Sequence, residues 1–322
     1  MLFGNTTPRE EGECMTIRSA PVVSVVMPVF NGSEYLSLAV ESILAQSFND
    51  LEFLIVNDGS TDDSLEILRE YESQDSRIKI ISRENTGMPR ALNEGIAMAQ
   101  GPFVARMDAD DIAEPSRILK QVHYLQEHQE CVAVGSALLF IDPDGEILAE
   151  KKAIESHEEL YERLWQGDSA LPHPTAMIRR DALSAVGGYR EAFAIAQDLD
   201  LWLRLSEIGW LANVPEALLR YRLHAASLTS TRRAQQLAEA EQIIRDAYQR
   251  RGQPVPEDFQ LSWGPPPPTA KVFRSWARMA QRSGNEAVAR KHAWNALCAA
   301  PFSLSNVGIA ATLLMPRLKK AG

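Results

Sequence analysis

Residues 51–60 read LEFLIVNDGS, an apolar run that stops abruptly at four turn-forming residues. A run of this kind, without regular polar alternation, is typical of a strand buried on both faces of a parallel sheet. Similar runs occupy residues 22–27, 77–81 and 103–107, and amphipathic stretches with helical spacing separate them. We therefore predict an α/β fold with a mostly parallel sheet flanked by helices.

The chain divides into three predicted regions. Residues 1–20 are expected to form a mobile leader, residues 21–230 an α/β domain, and residues 231–322 a helical C-terminal region. Within the α/β domain, residues 171–179 and 211–214 predict further strands. In the C-terminal region, a linker with four consecutive prolines separates the first predicted helix from a final helical pair.

Composition and motif searches argue against several classes of protein. The 322 residues include 33 Lys and Arg against 43 Asp and Glu, and the resulting net charge of −10 argues against a protein that binds a nucleic-acid backbone. The chain has three cysteines, Cys14, Cys131 and Cys298. They form no Cys-x-x-Cys pair, so neither a zinc site nor a disulfide framework is expected. Gly-x-Gly, Gly-x4-Gly-Lys and Gly-x-Ser-x-Gly are absent, which disfavours dinucleotide, P-loop and common serine-hydrolase sites. The first 20 residues are acidic where a signal peptide needs an apolar run, so a cytoplasmic location is expected.

Polar turn residues follow three of the first four predicted strands. They are Asn31-Gly32, residues 57–60 and residues 108–111. Because the carboxyl ends of parallel strands meet at one edge of a sheet, we expect these residues to converge on a ligand site. The alternate carboxylates of Asp108 and Asp110 can hold a hard divalent cation whose shell is completed by phosphate oxygens. The alternative is that each motif is an ordinary turn, with the acidic one capping the helix that follows it.

Four ordered motifs resemble those of glycosyltransferase family 2. They are Pro28-Val29-Phe30-Asn31, the run VNDGSTD at 56–62, Asn85-Thr86-Gly87 with Arg90, and RMDADD at 106–111. The resemblance covers residues 21–230 and implies that this region is a catalytic domain with the glycosyltransferase-A fold, that of nucleotide-diphospho-sugar transferases. It also implies a reaction that is inverting and metal-dependent.

The resemblance places a donor site at the ends of these strands. The residues that it implies for nucleotide-sugar binding are Pro28, Val29, Phe30, Asn31, Asp58, Asn85, Arg90, Asp108 and Ala109. It further implies that Asp110 binds Mn²⁺ or Mg²⁺ and that His224, in a closing loop at 221–229, reaches the metal or the diphosphate. A single loop histidine is weak evidence of a ligand, and a purely structural His224 is the alternative.

The run QDLDLWLR at 197–204 resembles the acceptor-side motif of the family. The resemblance assigns the general base to Asp198, while Gln197 occupies the position where the family usually has glutamate. His173 and Trp202 are placed on the acceptor side as well. The alternatives are that Asp198 caps the following helix and that His173 is a satisfied histidine at a strand end.

We therefore predict an enzyme that transfers a single sugar, of hexosyl or N-acetylhexosaminyl type, from a UDP-linked donor to a hydroxyl of a glycan or lipid-linked acceptor. The chain lacks the Gln-x-x-Arg-Trp motif of processive synthases, which favours single addition. One alternative is a nucleotidyltransferase, but that class needs a basic glycine-rich loop after the first strand, where this chain has Asn31-Gly32-Ser33-Glu34. The other is a catalytically silent domain that binds a glycan or a partner.

The C-terminal tail suggests a peripheral membrane contact. A basic cluster follows an apolar series, which comprises Phe302, Leu304, Val307, Ile309, Leu313 and Leu314 before Arg317, Lys319 and Lys320. Such a segment can lie on the inner face of an anionic membrane. The alternative is a helix docked on its own domain or on a second copy of the chain.

Overall fold

A computed structural model describes residues 20–168, 170–225 and 232–314. The predicted leader, except for its last residue, and the basic end of the predicted tail lie outside these ranges. The strands are β1 (Val23–Val29), β2 (Leu51–Asp58), β3 (Ile78–Arg83), β4 (Phe103–Arg106), β5 (Ile112–Ala113), β6 (Cys131–Ile141), β7 (Ile147–Lys151), β8 (Met177–Arg179) and β9 (Trp210–Arg222).

Eleven α-helices lie within the same ranges. They are α1 (Leu36–Leu44), α2 (Ser64–Gln74), α3 (Met88–Met98), α4 (Arg117–Glu127), α5 (His157–Trp165), α6 (Arg180–Ala185), α7 (Gln197–Leu205), α8 (Arg233–Arg250), α9 (Thr269–Arg282), α10 (Glu286–Ala299) and α11 (Leu304–Leu314). None of them combines the length and the apolar character that crossing a bilayer requires.

The described strands form one mixed sheet in the order β3-β2-β1-β4-β8-β6-β9-β5, with β7 paired to β6. The first four strands pair in parallel, and β8 then joins antiparallel to both β4 and β6. Every residue of β1 and β2 is buried, which explains their continuous apolar sequences. The sheet and its flanking helices confirm the predicted α/β architecture.

Two apolar cores cover the two faces of the sheet. Alternate side chains of β1 point to opposite faces, so Val26 packs with α3 and α5 to α8, whereas Val25 and Met27 pack with α1, α2 and α4. Helix α8 belongs to the first of these cores through Ile243 and Ile244. The first helix after residue 230 is therefore packed into the same core as the α/β domain.

Helices α9 to α11 form a third apolar cluster with Leu148 of β7. The fully buried carboxylate of Asp142, in the turn between β6 and β7, binds this cluster to the sheet. That carboxylate accepts a hydrogen bond from Lys291 Nζ at 2.6 Å, and its Oδ2 lies 2.8 Å from His292 Nε2. The C-terminal helices thus have their own core and a charged attachment to the sheet.

Two predicted strands differ from the observed ones. Residues 171–179 contain a 3₁₀ turn at His173–Thr175, and only Met177–Arg179 pairs in the sheet, because Pro172 and Pro174 have no N–H to donate to a strand partner. The strand predicted at 211–214 instead runs from Trp210 to Arg222. Its register against β6 shifts after Val214, which lets the exposed Pro215 and Glu216 bulge out without ending the strand.

Candidate active site

The loops that follow β1 and β2 are joined by side chains of their own turn residues. Asn31 Oδ1 accepts a hydrogen bond from the Thr61 backbone N–H at 2.8 Å, and the Asn31 N–H donates to Ser60 Oγ at 3.0 Å. Asn31 has a positive φ of 50°, a conformation that asparagine tolerates better than most residues. The turn residues thus give the carboxyl edge of the sheet a defined shape.

Asp58 and Gly59, at the end of β2, hold the loop that leads into α3. The buried Asp58 carboxylate accepts hydrogen bonds from the N–H groups of Thr86 and Gly87, both at 2.9 Å, and from Arg83 Nη1 at 2.6 Å. Gly59 has a φ of +75°, and a Cβ there would lie 2.5 Å from the Asn85 nitrogen. Asp58 therefore shapes the loop beside the donor edge, and its contact with a donor base stays a prediction.

The residues predicted to bind the nucleotide are not equally accessible. Pro28 and Val29 are buried within β1, because neighbouring strands and helices cover both faces, and their contact with a nucleotide stays a prediction. Phe30 is 53% exposed. Asn31, Asn85 and Arg90 are exposed on the same edge, and Ala109 lies beside Gly32, across the gap between the loops after β1 and β4.

Three carboxylates converge directly after β4. Asp108, Asp110 and Asp111 each offer an oxygen, and these oxygens lie within 4.8 Å of one another. His224 Nε2 lies 2.9 Å from Asp110 Oδ2, so the structure brings the two predicted metal residues together. The sequence analysis includes Asp111 in the turn at 108–111 but assigns it no individual role in binding the nucleotide or the metal.

The electrostatics of this group favour a bound cation. Burial raises the pKa of Asp108, with Arg106 opposing the rise and Asp110 adding to it. Burial and the charges of Asp108 and Asp110 raise the pKa of Asp111 well above its ordinary value. Three carboxylates that repel one another, with a histidine beside them, are well suited to bind a hard divalent ion such as Mn²⁺ or Mg²⁺.

Two buried guanidinium groups lie near the carboxylates. Arg106 forms an ion pair with Asp108, and Arg117 donates to the Arg106 carbonyl oxygen at 2.6 Å. Burial and the neighbouring Arg106 lower the pKa of Arg117 to about 9. These cations offset part of the negative charge of the carboxylates.

Arg222, at the end of β9, fixes the acidic loop in place. Its N–H donates to Asp111 Oδ1 and its Nε donates to the Asp110 carbonyl oxygen, both at 2.9 Å. Its Nη1 donates to the carbonyl oxygens of Asp142 and Pro143, in the turn that also binds α10. Sequence reasoning missed this residue, since its role depends on contacts about 80 to 110 positions away in the chain.

A cavity of about 960 Å³ opens between the donor and acceptor residues. Asp108, Asp110 and His224 line one part of it, and His173, Gln197 and Asp198 line another. Its outer wall comes from α5, α8 and the segment after α8, and includes Arg163, Asp168, Arg233, Gln236 and Trp263.

Asp198 lies in the first turn of α7. The N-cap of that helix is Ala196, so Asp198 does not occupy the cap position, and its Oδ1 accepts from the Leu199 N–H at 2.8 Å. Gln197 is mostly buried and lines the same cavity. Among the described residues its Oε1 has no hydrogen-bond partner, so this carbonyl oxygen can accept from a ligand hydroxyl.

His173 lines the cavity and packs against Trp202. Burial and the nearby Arg106 hold the pKa of His173 well below its usual range, so the ring is neutral, and its Nε2 lies 2.7 Å from the Tyr189 hydroxyl. Trp202 is fully buried and meets His173 edge-on, with ring centroids 5.9 Å apart. Apolar core residues enclose the Trp202 side chain, which does not line the cavity, and its contact with the acceptor stays a prediction.

Comparisons with known proteins find glycosyltransferases. The family model for "Glycosyl transferase family 2" matches residues 24–187. An "Uncharacterized glycosyltransferase" of Haemophilus influenzae is 34% identical over 246 residues, which cover 71% of this chain and 74% of the relative. The "O-antigen biosynthesis glycosyltransferase WbnJ" of Escherichia coli is 32% identical over 220 residues, 66% of this chain and 84% of the relative.

Two solved structures share the fold. The mannosyltransferase PcManGT from Pyrobaculum calidifontis, in complex with GDP-Man and Mn²⁺, superposes with a TM-score of 0.54 at 19% identity, over 92% of this chain and 80% of that one. TarS 1-349 of S. aureus, in complex with UDP-GlcNAc, gives a TM-score of 0.51 at 17% identity, over 91% and 79%. At these identities the likeness concerns the fold alone.

Proposed function

Since the chain belongs to glycosyltransferase family 2, and so transfers a sugar from a nucleotide-sugar donor, we propose that it is a metal-dependent, inverting enzyme with the glycosyltransferase-A fold that adds one sugar to a hydroxyl. The observation that carries this proposal is the shared cavity, which the acidic group after β4 and Asp198 line together. The acceptor class that we propose is a glycan or a lipid-linked glycan.

The donor side would hold the nucleoside diphosphate and the ion. Asp110 and His224, with Asp108 and Asp111 beside them, would hold Mn²⁺ or Mg²⁺, which when bound would neutralise charge on the leaving diphosphate. Arg222 keeps this loop in one conformation, since it binds both the Asp110 carbonyl and the Asp111 carboxylate. The exposed Phe30 and Asn31 are then available for the base.

The acceptor side would supply the base. Asp198 takes the proton from the attacking hydroxyl, and the Gln197 carbonyl oxygen accepts a hydrogen bond that orients the acceptor. Because one hydroxyl attacks opposite the leaving diphosphate, a single displacement inverts the anomeric carbon. The neutral His173 adds no competing cation at this point.

The donor is tested by a thermal-shift panel. We expect a nucleotide-sugar with Mn²⁺ to raise the melting temperature, since a ligand at 100 times its Kd adds about 2.7 kcal/mol of stability. The panel contains UDP- and GDP-linked hexoses and N-acetylhexosamines, because the two solved structures that share the fold contain GDP-Man and UDP-GlcNAc. We propose a UDP-linked sugar of hexosyl or N-acetylhexosaminyl type as the strongest ligand.

Controls in the same panel separate the alternatives. Stabilisation by nucleoside triphosphates in preference to nucleotide-sugars would favour a nucleotidyltransferase. A bound donor that is never hydrolysed or transferred would favour a silent binding domain. If no nucleotide-sugar shifts the transition, with or without metal, the proposed donor chemistry is wrong.

We also propose that the C-terminal helix rests on the inner face of an anionic membrane, near a lipid-linked acceptor, in a cytoplasmic enzyme. One face of α11 is docked through Ile309, Ala310 and Leu313. The opposite face leaves Leu304 88% exposed, and Phe302 just before it is 97% exposed. The basic residues that follow, Arg317, Lys319 and Lys320, have the charge that such a surface attracts.

Vesicle flotation tests this contact. We expect the full chain to float with vesicles that contain phosphatidylserine and to stay behind with phosphatidylcholine alone, because both apolar area and charge are needed. Phe302→Ser combined with Leu304→Ser should abolish flotation. The matched control is Leu38→Ser, which changes an exposed apolar residue of α1. Equal flotation by the double variant and the control would end the membrane proposal.

A further inference from the structure

The outer wall of the cavity carries an aromatic ring beside a cation. Trp263 comes from the segment after α8, and Arg233 begins that helix. The Arg233 guanidinium carbon lies 5.5 Å from the centroid of the Trp263 ring system, and Arg233 Nε donates to the Gly264 carbonyl oxygen at 2.7 Å. Both residues line the same cavity as Asp198.

Close packing holds this wall in position. Gly167 has a φ of +75°, and a Cβ there would lie 2.8 Å from Leu261 Cδ1 and 3.3 Å from Trp263 Cζ2. Leu261 is buried, and its N–H donates to Glu241 Oε1 at 3.0 Å. The indole is therefore presented to the cavity by an anchored segment, so a ligand meets it without first ordering the chain.

In the part of the chain that the structure describes, no carboxylate neutralises Arg233. Across residues 20–168, 170–225 and 232–314, Arg233 has no carboxylate partner, and its two terminal nitrogens make no hydrogen bond. Arg163, on the same wall, is by contrast paired with Asp168. In a chain with a net charge of −10, an unpaired guanidinium inside a cavity is well suited to bind an anion from outside.

We infer that Trp263 and Arg233 form an acceptor subsite for a sugar ring that carries or adjoins an anionic group, either phosphate or carboxylate. The apolar face of a pyranose packs on the indole, and the planar guanidinium binds the anion through its two terminal nitrogens. The inference rests on the proposed function, because it gives the acceptor that Asp198 deprotonates a chemical class. Both residues lie beyond residues 24–187, which the family model matches, and beyond residues 21–230, which the resemblance covers, so neither of them assigns these residues a role.

Ligand-observed NMR titration in the presence of UDP and Mn²⁺ tests the subsite. The probes are methyl β-glucoside, methyl β-glucuronide and glucose 6-phosphate, which supply the same ring with no anion, a carboxylate or a phosphate. We expect at least one anionic probe to bind about 10-fold more tightly than the neutral glucoside, as befits a charge-assisted bidentate contact. The stronger of the two anionic probes identifies the source of the charge.

Matched variants assign the effect to these residues. Arg233→Gln should abolish the preference for the anionic probes, whereas Arg245→Gln should keep it. Arg245 is on the same helix and also donates to a backbone carbonyl and stacks on an aromatic ring, Phe259, but it does not line the cavity. Trp263→Ala should weaken all three probes, and Trp263→Phe should retain most of the binding if the ring itself is what matters.

Two results would overturn the inference. One is equal binding of the three probes by the unaltered protein, and the other is an equal loss of preference in the Arg233 and Arg245 variants. Failure of the proposed function is seen separately, as an absence of UDP binding in the presence of Mn²⁺ before any probe is added.

Discussion

Asp198→Asn is expected to lower the rate of sugar transfer by about 10²-fold or more, because a general base usually contributes a factor of that size to the rate. The affinity for the nucleotide-sugar should stay nearly unchanged. The base is needed only when a hydroxyl loses its proton, whereas the proposed function assigns donor binding to the acidic group across the cavity. Calorimetric titration of the donor, alongside turnover, measures the two effects separately. Unchanged turnover would overturn the acceptor-side assignment.

Asp200, two positions along the same helix, provides the sharpest comparison. Its carboxylate is fully buried and forms ion pairs with both Arg190 and Arg204. Asp200→Asn should therefore destabilise the fold, by about 3–5 kcal/mol if the loss resembles that of other buried pairs. If the folded Asp200 variant were inactive and the Asp198 variant active, the base would have to be reassigned.

Asp58→Ala provides the complementary control on the donor side. It should weaken donor binding before it affects chemistry, because the Asp58 carboxylate holds the Thr86 and Gly87 N–H groups beside the donor edge. A variant with normal donor affinity would show that this loop does not contribute to the nucleotide site.

Asp110→Asn is expected to lower both Mn²⁺ affinity and turnover by at least about 100-fold. Mutation of a residue that only contacts a metal ligand typically costs about 10- to 100-fold, and Asp110 is itself a proposed ligand. An amide replaces a charged oxygen ligand, and His224 loses its carboxylate partner. The fold should persist, because the change relieves repulsion among three carboxylates. The loss of charge should also lower the pKa values of Asp108 and Asp111, both of which Asp110 raises.

Mn²⁺ binding followed by electron paramagnetic resonance measures this effect without relying on activity. Asp50→Asn is the matched control, because Asp50 is exposed and lies outside the cavity. Near-normal turnover of the Asp110 variant, or full activity of the unaltered enzyme after chelation, would show that the metal assignment is wrong.

The sequence alone determined the parts of this protein that local patterns encode. Mainly apolar runs identified β1, β2 and β4, because a strand covered on both faces is mostly apolar. The helix predicted at Thr269–Arg282 has the same two ends as α9. Pro268 directly precedes its first residue, and Ser283-Gly284 directly follow its last one. The sequence also predicted that Asp108 and Asp110 lie at the ligand-binding edge of the sheet, because the carboxyl ends of parallel strands meet at one edge.

Only the tertiary structure decided which of the candidate residues are accessible and how they are paired. Trp202 and Asp198 lie on the same helix, yet the first is enclosed by the core and the second lines the cavity. Arg222 and Trp263 contribute through partners far away in the sequence, which no local pattern records. The physical reason is that burial and charge pairing depend on how distant segments pack, whereas strand and helix patterns depend on near neighbours.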